Sequence, residues 1–130
     1  MDNKFKGRII NALRKLTYYY PARNEAKRRQ KVAPSTHQCQ SCHVLVYDGR
    51  SDKIMKQIEE DFDCDILKGK VHIDHIMPVV PITGFGVGKE WDWNIYIHNM
   101  FCPVEGFQVL CESCHAEKTK GENELRKIHK

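Results

Sequence analysis

The chain has 130 residues, of which 41% are hydrophobic, and this is enough apolar material for one modest core. It has no run of about 20 apolar residues, and its charged start lacks the apolar segment of an export signal, so we expect no membrane partner and a cytoplasmic protein. The net charge of +4 is unevenly distributed, because residues 1–33 carry +8 and residues 34–130 carry −4.

Residues 1–33 are predicted to form a basic helical arm. Apolar residues at positions 5, 9, 13 and 16 predict an amphipathic helix over residues 4–19, with its apolar stripe docked on the body of the protein. Pro21 suits the first turn of a second, almost wholly polar helix. A basic arm favours a polyanionic partner, most often nucleic acid, and the alternative is a solvated helix face. The predicted DNA contacts are Arg23, Lys27, Arg28, Arg29 and Lys31.

The next segment is predicted to alternate between strands and one helix. Residues 34–36 are interpreted as a linker, and residues 44–47 as a short strand. Ser51 is placed to cap a helix that has apolar residues at positions 54, 58 and 62. Residues 71–77 form the next predicted strand, which Pro78 ends.

The last third of the chain is predicted to end in two helices. A loop at residues 83–88, a short helix within residues 89–100 and a strand at residues 107–110 come first. The helix that starts at residue 112 is expected to end near Thr119, because residues 119–122 match a capping box with threonine and glutamate three residues apart. A short basic helix would follow.

The same pattern occurs twice, as CQSCH at residues 39–43 and as CESCH at residues 111–115. Each CxxC pair offers two thiolates to one metal ion, and two pairs complete the four-sulfur tetrahedron that structural zinc prefers. The intervening 68 residues exceed the roughly 15–20 of a simple zinc ribbon, so we expect a folded module that the metal closes. The predicted zinc ligands are Cys39, Cys42, Cys111 and Cys114, whereas Cys64 and Cys102 are expected to be buried thiols without a metal.

A strand with Asp74 and His75, a loop, a second strand and a helix that starts with the second CxxCH follow one another between residues 71 and 118. This order of elements resembles that of the HNH endonucleases, specifically their small phage-type members. The strings that match are IDHIMP at residues 73–78, FQVLC at residues 107–111 and CHAEKT at residues 114–119. The resemblance implies an α+β fold with a ββα-metal (His-Me finger) core, here stapled by the four-cysteine zinc site. Residues 34–130 would form this nuclease domain.

The resemblance implies a metal-dependent DNA endonuclease that hydrolyses phosphodiester bonds and nicks one strand per active site. His75 would be the general base that takes a proton from the attacking water. Asp74 and His115 would hold the catalytic cation, Mg²⁺ or Mn²⁺ with other divalent ions as alternatives, because a carboxylate is a hard oxygen donor. Lys118 would contact a phosphate.

The implied partner is double-stranded DNA. A homodimer and phage packaging or replication proteins are further partners that the resemblance leaves open, and a phage-encoded protein would act in the host cytoplasm. The chain departs from the family at its middle asparagine, which in many members pins the loop before the last strand. Gly106 occupies that position, and Asn94 or Asn99 could replace the asparagine from further away. His43 is expected at the surface, and His72 on the same strand face as Asp74.

Two other functions remain open at this point. A zinc-stapled DNA-binding protein without catalysis fits the arm and the cysteines equally well, and only Asp74, His75 and His115 separate it from a nuclease. CxxCH is also the attachment signature of c-type haem, so two copies could mark a di-haem cytochrome. That function would require export, and it leaves the string at residues 73–78 unexplained.

Overall fold

The computed structural model describes residues 2–85 and 91–128 and shows a mixed α+β fold. The described helices are α1 (Asn3–Thr17), α2 (Pro21–Arg29), α3 (Asp52–Phe62), α4 (Trp93–Met100) and α5 (Glu112–Ile128). The described strands are β1 (Lys31–Ala33), β2 (Thr36–Gln38), β3 (Leu45–Tyr47), β4 (Ile66–Lys68), β5 (His72–His75) and β6 (Phe107–Leu110), and a 3-10 turn, Val104–Gly106, precedes β6. The predicted loop at residues 83–88 lies partly outside the described residues.

One sheet has the strand order β1-β2-β3-β4, and the interpretation of residues 34–36 as a linker was wrong. Pro34 and Ser35 instead form the turn between the antiparallel strands β1 and β2. Ser35 adopts a positive φ of 53°, and proline followed by a residue with positive φ is the pattern of a type II turn. Strand β3 then pairs antiparallel with β2 and parallel with β4, and α3 connects β3 to β4.

Helix α3 confirms the prediction made from Ser51. The Ser51 hydroxyl accepts a hydrogen bond from the Ile54 amide at 3.2 Å, which satisfies one of the unpaired donors at the helix start. Ile58 is buried from the same helix and packs in a core cluster with Leu45, Tyr47 and Ile66. The strand pair β3 and β4 and helix α3 therefore share one small core.

A second sheet consists of β5 and β6, which pair antiparallel with Asp74 opposite Gln108 and His75 opposite Phe107. Strand β5 is shorter than the predicted residues 71–77, whereas β6 coincides with its prediction. β6 leads within two residues into α5, so strand, strand and helix follow in the predicted order. Val109 and Leu110 are buried, and Leu110 packs with Cys39, Val46 and Cys111.

Helix α5 is continuous from Glu112 to Ile128, so the predicted break near Thr119 was wrong. Tertiary contacts outweigh the local capping signal. The Glu122 carboxylate pairs with Lys118 one turn earlier, and Arg126 donates hydrogen bonds to the carbonyl oxygens of Val80 at 2.7 Å and Pro81 at 3.4 Å. These contacts hold the second half of the helix against the segment that follows β5.

The two N-terminal helices contact the body in different ways. In α1 the predicted stripe is only partly docked, because Phe5 and Leu16 are 53% and 55% exposed while Ile9 and Leu13 are half-buried. Helix α2 packs against β6 and the 3-10 turn and buries Ala26, although its sequence shows no apolar stripe. Its basic residues are therefore carried by a docked helix.

Candidate functional site

The four predicted cysteine ligands converge at one point between the two sheets. Cys39 directly follows β2 and Cys111 directly follows β6, and all four Sγ atoms lie within 4.8 Å of one another. Four sulfurs at about 2.3 Å from a tetrahedral zinc ion would be about 3.8 Å apart, and Sγ of Cys42 lies 3.7 Å from Sγ of Cys111. The donor set and its spacing therefore fit a metal ion such as zinc.

Both CxxC turns share one backbone hydrogen bond. The His43 amide donates to the Cys39 carbonyl and the His115 amide to the Cys111 carbonyl, each at 3.0 Å. His43 is exposed, as predicted, and has a positive φ of 66°. A hydrogen-bonded ladder also joins the first turn to β6, because the Gln40 amide donates to Val109 O at 2.8 Å and Gln40 Oε1 accepts from the Val109 amide at 2.6 Å.

The thiols of this cluster have widely separated acidities. Burial opposes ionisation of Cys39, but backbone amides that point at its sulfur outweigh this effect and lower its pKa to about 6. Hydrogen bonding to Cys111 raises the pKa of Cys114 to about 12. Four thiolates this close repel one another unless a cation compensates their charge, and a divalent metal supplies that compensation.

The remaining two cysteines lie outside this cluster. Cys102 is half-buried and burial raises the pKa of its thiol, as expected for an inert cysteine. Cys64 is exposed at the end of α3, so its predicted burial was wrong.

Asp74 and His115 approach each other across the face of the second sheet. Oδ1 of Asp74 lies 4.0 Å from Nε2 of His115, which is on the first turn of α5. The ring of His72 stacks on that of His115 with a centroid distance of 4.5 Å and an interplanar angle of 3°. The predicted shared face of His72 and Asp74 is therefore the face that meets α5.

The imidazole of His75 is oriented by helix α4. Its Nε2 is 2.8 Å from the carbonyl oxygen of Met100, and its ring packs on Phe107 at 4.8 Å. A carbonyl oxygen only accepts, so Nε2 carries the proton in this contact and Nδ1 is left as the acceptor.

Asp74 and His75 line a pocket of about 340 Å³ together with residues from α1, α4 and α5. Lys118, predicted to contact a phosphate, lies with its Nζ 2.8 Å from Oδ2 of Asp74, beside the Glu122 carboxylate and 3.0 Å from the His75 carbonyl. Burial by itself would lower the pKa of Lys118, but the two carboxylates outweigh it and raise that pKa. The ammonium is therefore already paired inside the pocket.

Of the two asparagines considered above, Asn99 contacts the segment that follows β5. The Asn99 side-chain amide donates to the Val79 carbonyl at 3.1 Å and so joins α4 to the segment after β5, whereas Asn94 is exposed. A Cβ at Gly106 would lie 2.5 Å from Sγ of Cys102, so this backbone has no room there for an asparagine. Asn99 also directly precedes Met100, whose carbonyl contacts His75.

The predicted DNA contacts of the arm are partly neutralised by acidic neighbours. Arg28 makes two hydrogen bonds to Glu25 at 2.6 and 2.7 Å, and these hold the pKa of Glu25 below its usual range. Arg29 also contacts Glu25, and its Nη1 lies 3.9 Å from Glu105 in the 3-10 turn. Arg23 is half-buried with its guanidinium 4.9 Å from the Tyr18 ring centroid, Lys27 is half-buried, and Lys31 is exposed on β1.

Sequence reasoning missed four pocket residues: Arg14, Tyr96, Glu122 and Arg126. Glu122 and Arg126 follow Lys118 at intervals of four residues, so a continuous helix would have placed all three on one face. Arg14 and Tyr96 had no such signal, because their helices are brought together only by the tertiary fold.

No family model, curated protein or solved structure matches the chain. Within residues 2–85 and 91–128, no helix has the length and apolar character needed to cross a membrane. The functional argument therefore depends on the residues and their geometry.

Proposed function

We propose that this protein is a metal-dependent DNA endonuclease of the HNH type, with a ββα-metal core and a structural zinc ion on its four clustered cysteines. The observation that carries the proposal is the position of Asp74. This carboxylate lines one pocket with His75 and lies 4.0 Å from the imidazole of His115. The two candidate metal ligands thus approach each other although 40 residues lie between them in the chain, and the candidate base His75 shares the pocket of Asp74, which His115 does not line.

Asp74 and His115 have the donor types that a catalytic divalent cation needs. Oδ2 of Asp74 is buried beside the Lys118 ammonium at 2.8 Å, so Oδ1, which lies 4.0 Å from Nε2 of His115, is the oxygen that faces the second candidate ligand. Asp74 could hold Mg²⁺ or Mn²⁺ with His115, and water and phosphate oxygens would complete the coordination. The bound cation would stabilise the extra negative charge on the phosphoryl group during hydrolysis.

His75 acts in this proposal as general base. Nε2 of His75 carries a proton and donates it in a hydrogen bond to the Met100 carbonyl. Nδ1 of the same ring is therefore available to accept a proton from the attacking water. The water oxygen forms a bond to phosphorus, the bond from phosphorus to the 3′ oxygen breaks, and that oxygen leaves with a proton from solvent. By family analogy the products carry 5′-phosphate and 3′-hydroxyl ends, and one such site cuts one strand.

A DNA-binding protein without catalysis is the second candidate, and one observation favours it. Lys118 pairs with Asp74 and Glu122, so the charge of Asp74 is partly compensated without a metal. A di-haem cytochrome is disfavoured, because both CxxCH pairs converge on a single point whereas two haems need two separate sites.

A plasmid-nicking assay distinguishes the two main candidates. Zinc-loaded protein should convert supercoiled plasmid to open circles in Mg²⁺ or Mn²⁺ and not in a chelator of these ions. His75→Ala should reduce the rate by about 10²–10⁴-fold, as expected for loss of a general base. His98→Ala is the matched control, since His98 is exposed on α4 outside the pocket.

Two results would contradict the proposal. Nicking by His75→Ala at the parent rate would show that His75 is not the base. DNA binding by the parent without nicking in any divalent ion would favour the non-catalytic candidate.

A further inference from the structure

Three cationic side chains line the pocket that contains Asp74 and His75: Arg14, Lys118 and Arg126. A DNA phosphate that enters this pocket needs a cation whose donors are not already used. A phosphate that binds a paired cation has to compete with the existing partner of that cation. The cation with the fewest partners inside the protein is therefore the best candidate for the phosphate contact.

Two of the three cations are engaged within the protein. Lys118 lies 2.8 Å from the Asp74 carboxylate and also pairs with Glu122. The Arg126 guanidinium donates to the carbonyl oxygens of Val80 and Pro81, which fixes the chain after β5. Both residues therefore have structural partners that a phosphate would displace.

Arg14 differs from both. Among residues 2–85 and 91–128, its guanidinium has neither a carboxylate within ion-pair distance, as Lys118 has, nor a hydrogen bond to a backbone carbonyl, as Arg126 has. Its neighbour in the pocket is Tyr96, where burial raises the pKa of the phenol while the positive charge of Arg14 and a hydrogen bond from its side chain oppose that rise. Arg14 is exposed and lines the pocket, so solvent or a ligand can reach its side chain there.

Contacts near both ends of helix α1 join it to residues that flank helix α4. Nζ of Lys6 lies 3.8 Å from the centroid of a Trp91 ring. Just beyond the other end, the Tyr20 hydroxyl lies 3.0 Å from the Phe101 carbonyl and 2.9 Å from the Cys102 carbonyl. These carbonyls directly follow that of Met100, which contacts His75. Arg14 is thereby positioned relative to His75.

We infer that Arg14 binds the DNA phosphate at the active-site pocket, and that Lys118 instead fixes the carboxylate of Asp74. The inference rests on the proposed nuclease function. It assigns α1 a second role, because this helix then forms a wall of the active site as well as part of the basic arm. A guanidinium suits this role because it can bind two phosphate oxygens through parallel hydrogen bonds.

The test compares Arg14→Gln with Arg8→Gln, which removes the same charge from the same helix outside the pocket. Under single-turnover conditions at saturating enzyme, Arg14→Gln should cleave about 10²-fold more slowly, the usual effect of losing one donor that stabilises developing charge. Its Kd for DNA should rise only a few-fold. Arg14→Lys should recover part of the rate, while Arg8→Gln should cleave at the parent rate. Unchanged zinc content and melting temperature would show that each variant is folded.

Cleavage by Arg14→Gln at the parent rate under saturating conditions would overturn the inference and leave the proposed function intact. If the parent protein does not cleave, the proposed function fails, and the salt dependence of DNA binding then decides on Arg14. Loss of one phosphate contact lowers the slope of log K against log salt by about 0.9. Equal slopes for the parent and Arg14→Gln would overturn the phosphate contact as well.

Discussion

The two carboxylate oxygens of Asp74 face different partners. Oδ1 lies 4.0 Å from Nε2 of His115, and Oδ2 lies 2.8 Å from Nζ of Lys118. Because the ammonium occupies the Oδ2 side, the proposed catalytic cation would bind on the Oδ1 side, facing His115. The position of this ion therefore depends on how firmly the His115 ring is held.

His72 is the residue that holds the His115 ring, and a pair of substitutions tests this role. His72→Ala removes the stacked ring and should weaken Mn²⁺ binding at the candidate site by about 10-fold, the lower end of the loss found when residues around metal ligands are changed. His72→Phe keeps an aromatic ring in the stack and should restore most of the affinity. Mn²⁺ titration of zinc-loaded protein would measure both.

The outcome for the phenylalanine variant decides what His72 does. Binding as weak in His72→Phe as in His72→Ala would show that an imidazole nitrogen, and not the stacked ring, is required. Equal affinity in the alanine variant and the parent would show that the stack has no role in metal binding.

At the scale of elements, α5 carries four residues of the candidate site along one face. His115, Lys118, Glu122 and Arg126 follow one another at intervals of three or four residues, which places them along one side of a continuous helix. The first reaches the Asp74 carboxylate, the next two form the paired charges of the pocket, and the last holds the chain after β5. A helix that ended near Thr119 would lose the second half of this row.

Gly121→Ala tests the continuity of α5. Gly121 lies in the interior of this helix, and a Cβ there would meet no atom within 4 Å. Alanine should therefore raise the free energy of unfolding by about 0.5–1 kcal/mol, because glycine loses more conformational freedom in a helix. Urea denaturation of the zinc-loaded protein would measure this gain.

Gly106→Ala is the contrasting variant for the same measurement. It should be destabilising, since its Cβ would approach Sγ of Cys102 to 2.5 Å. The absence of any gain for Gly121→Ala in this measurement would contradict a position of Gly121 in the interior of α5.

At the scale of the whole molecule, the cysteine cluster joins the two sheets. One pair follows β2 in the four-stranded sheet, and the other follows β6 at the start of α5. The core that these elements share is small, and Cys39 and Cys111 are themselves among its buried residues. A metal ion at this point would connect the four-stranded sheet to the strand and helix that carry Asp74 and His115.

Removal of zinc should therefore unfold the protein. Structural zinc contributes about 10–16 kcal/mol to folding in zinc-finger peptides. The free energy of unfolding of a typical domain is only about 5–15 kcal/mol, so loss of the zinc contribution is enough to unfold most domains. Complete chelation, and likewise Cys111→Ser, should abolish the cooperative thermal transition measured by circular dichroism. Cys64→Ser should retain one zinc ion and the parent transition, because Cys64 is exposed outside the cluster. A cooperative transition at the parent temperature after complete metal removal would contradict this role.

Local patterns in the sequence were sufficient for several elements and for the identity of the candidate ligands. The Ser51 cap, the strand β6 and the four cysteines each depend on residue types within a few positions, and such short-range preferences act before any tertiary contact forms. The charged arm and the IDHIMP string were equally visible. These features led to the nuclease proposal, which the sequence by itself could express only as a resemblance.

The tertiary structure decided which of those residues have partners. Whether Lys118 or Arg14 is available to a phosphate depends on Asp74 and Glu122, which reach the pocket from a strand and a helix far apart in the chain. The continuity of α5 and the hydrogen bond of Asn99 likewise depend on contacts with residues 79–81. Long-range hydrogen bonds and ion pairs override local preferences once burial removes competing water. For that reason the candidate ligands could be named from the sequence, whereas the cation proposed to contact a phosphate could be inferred only from the fold.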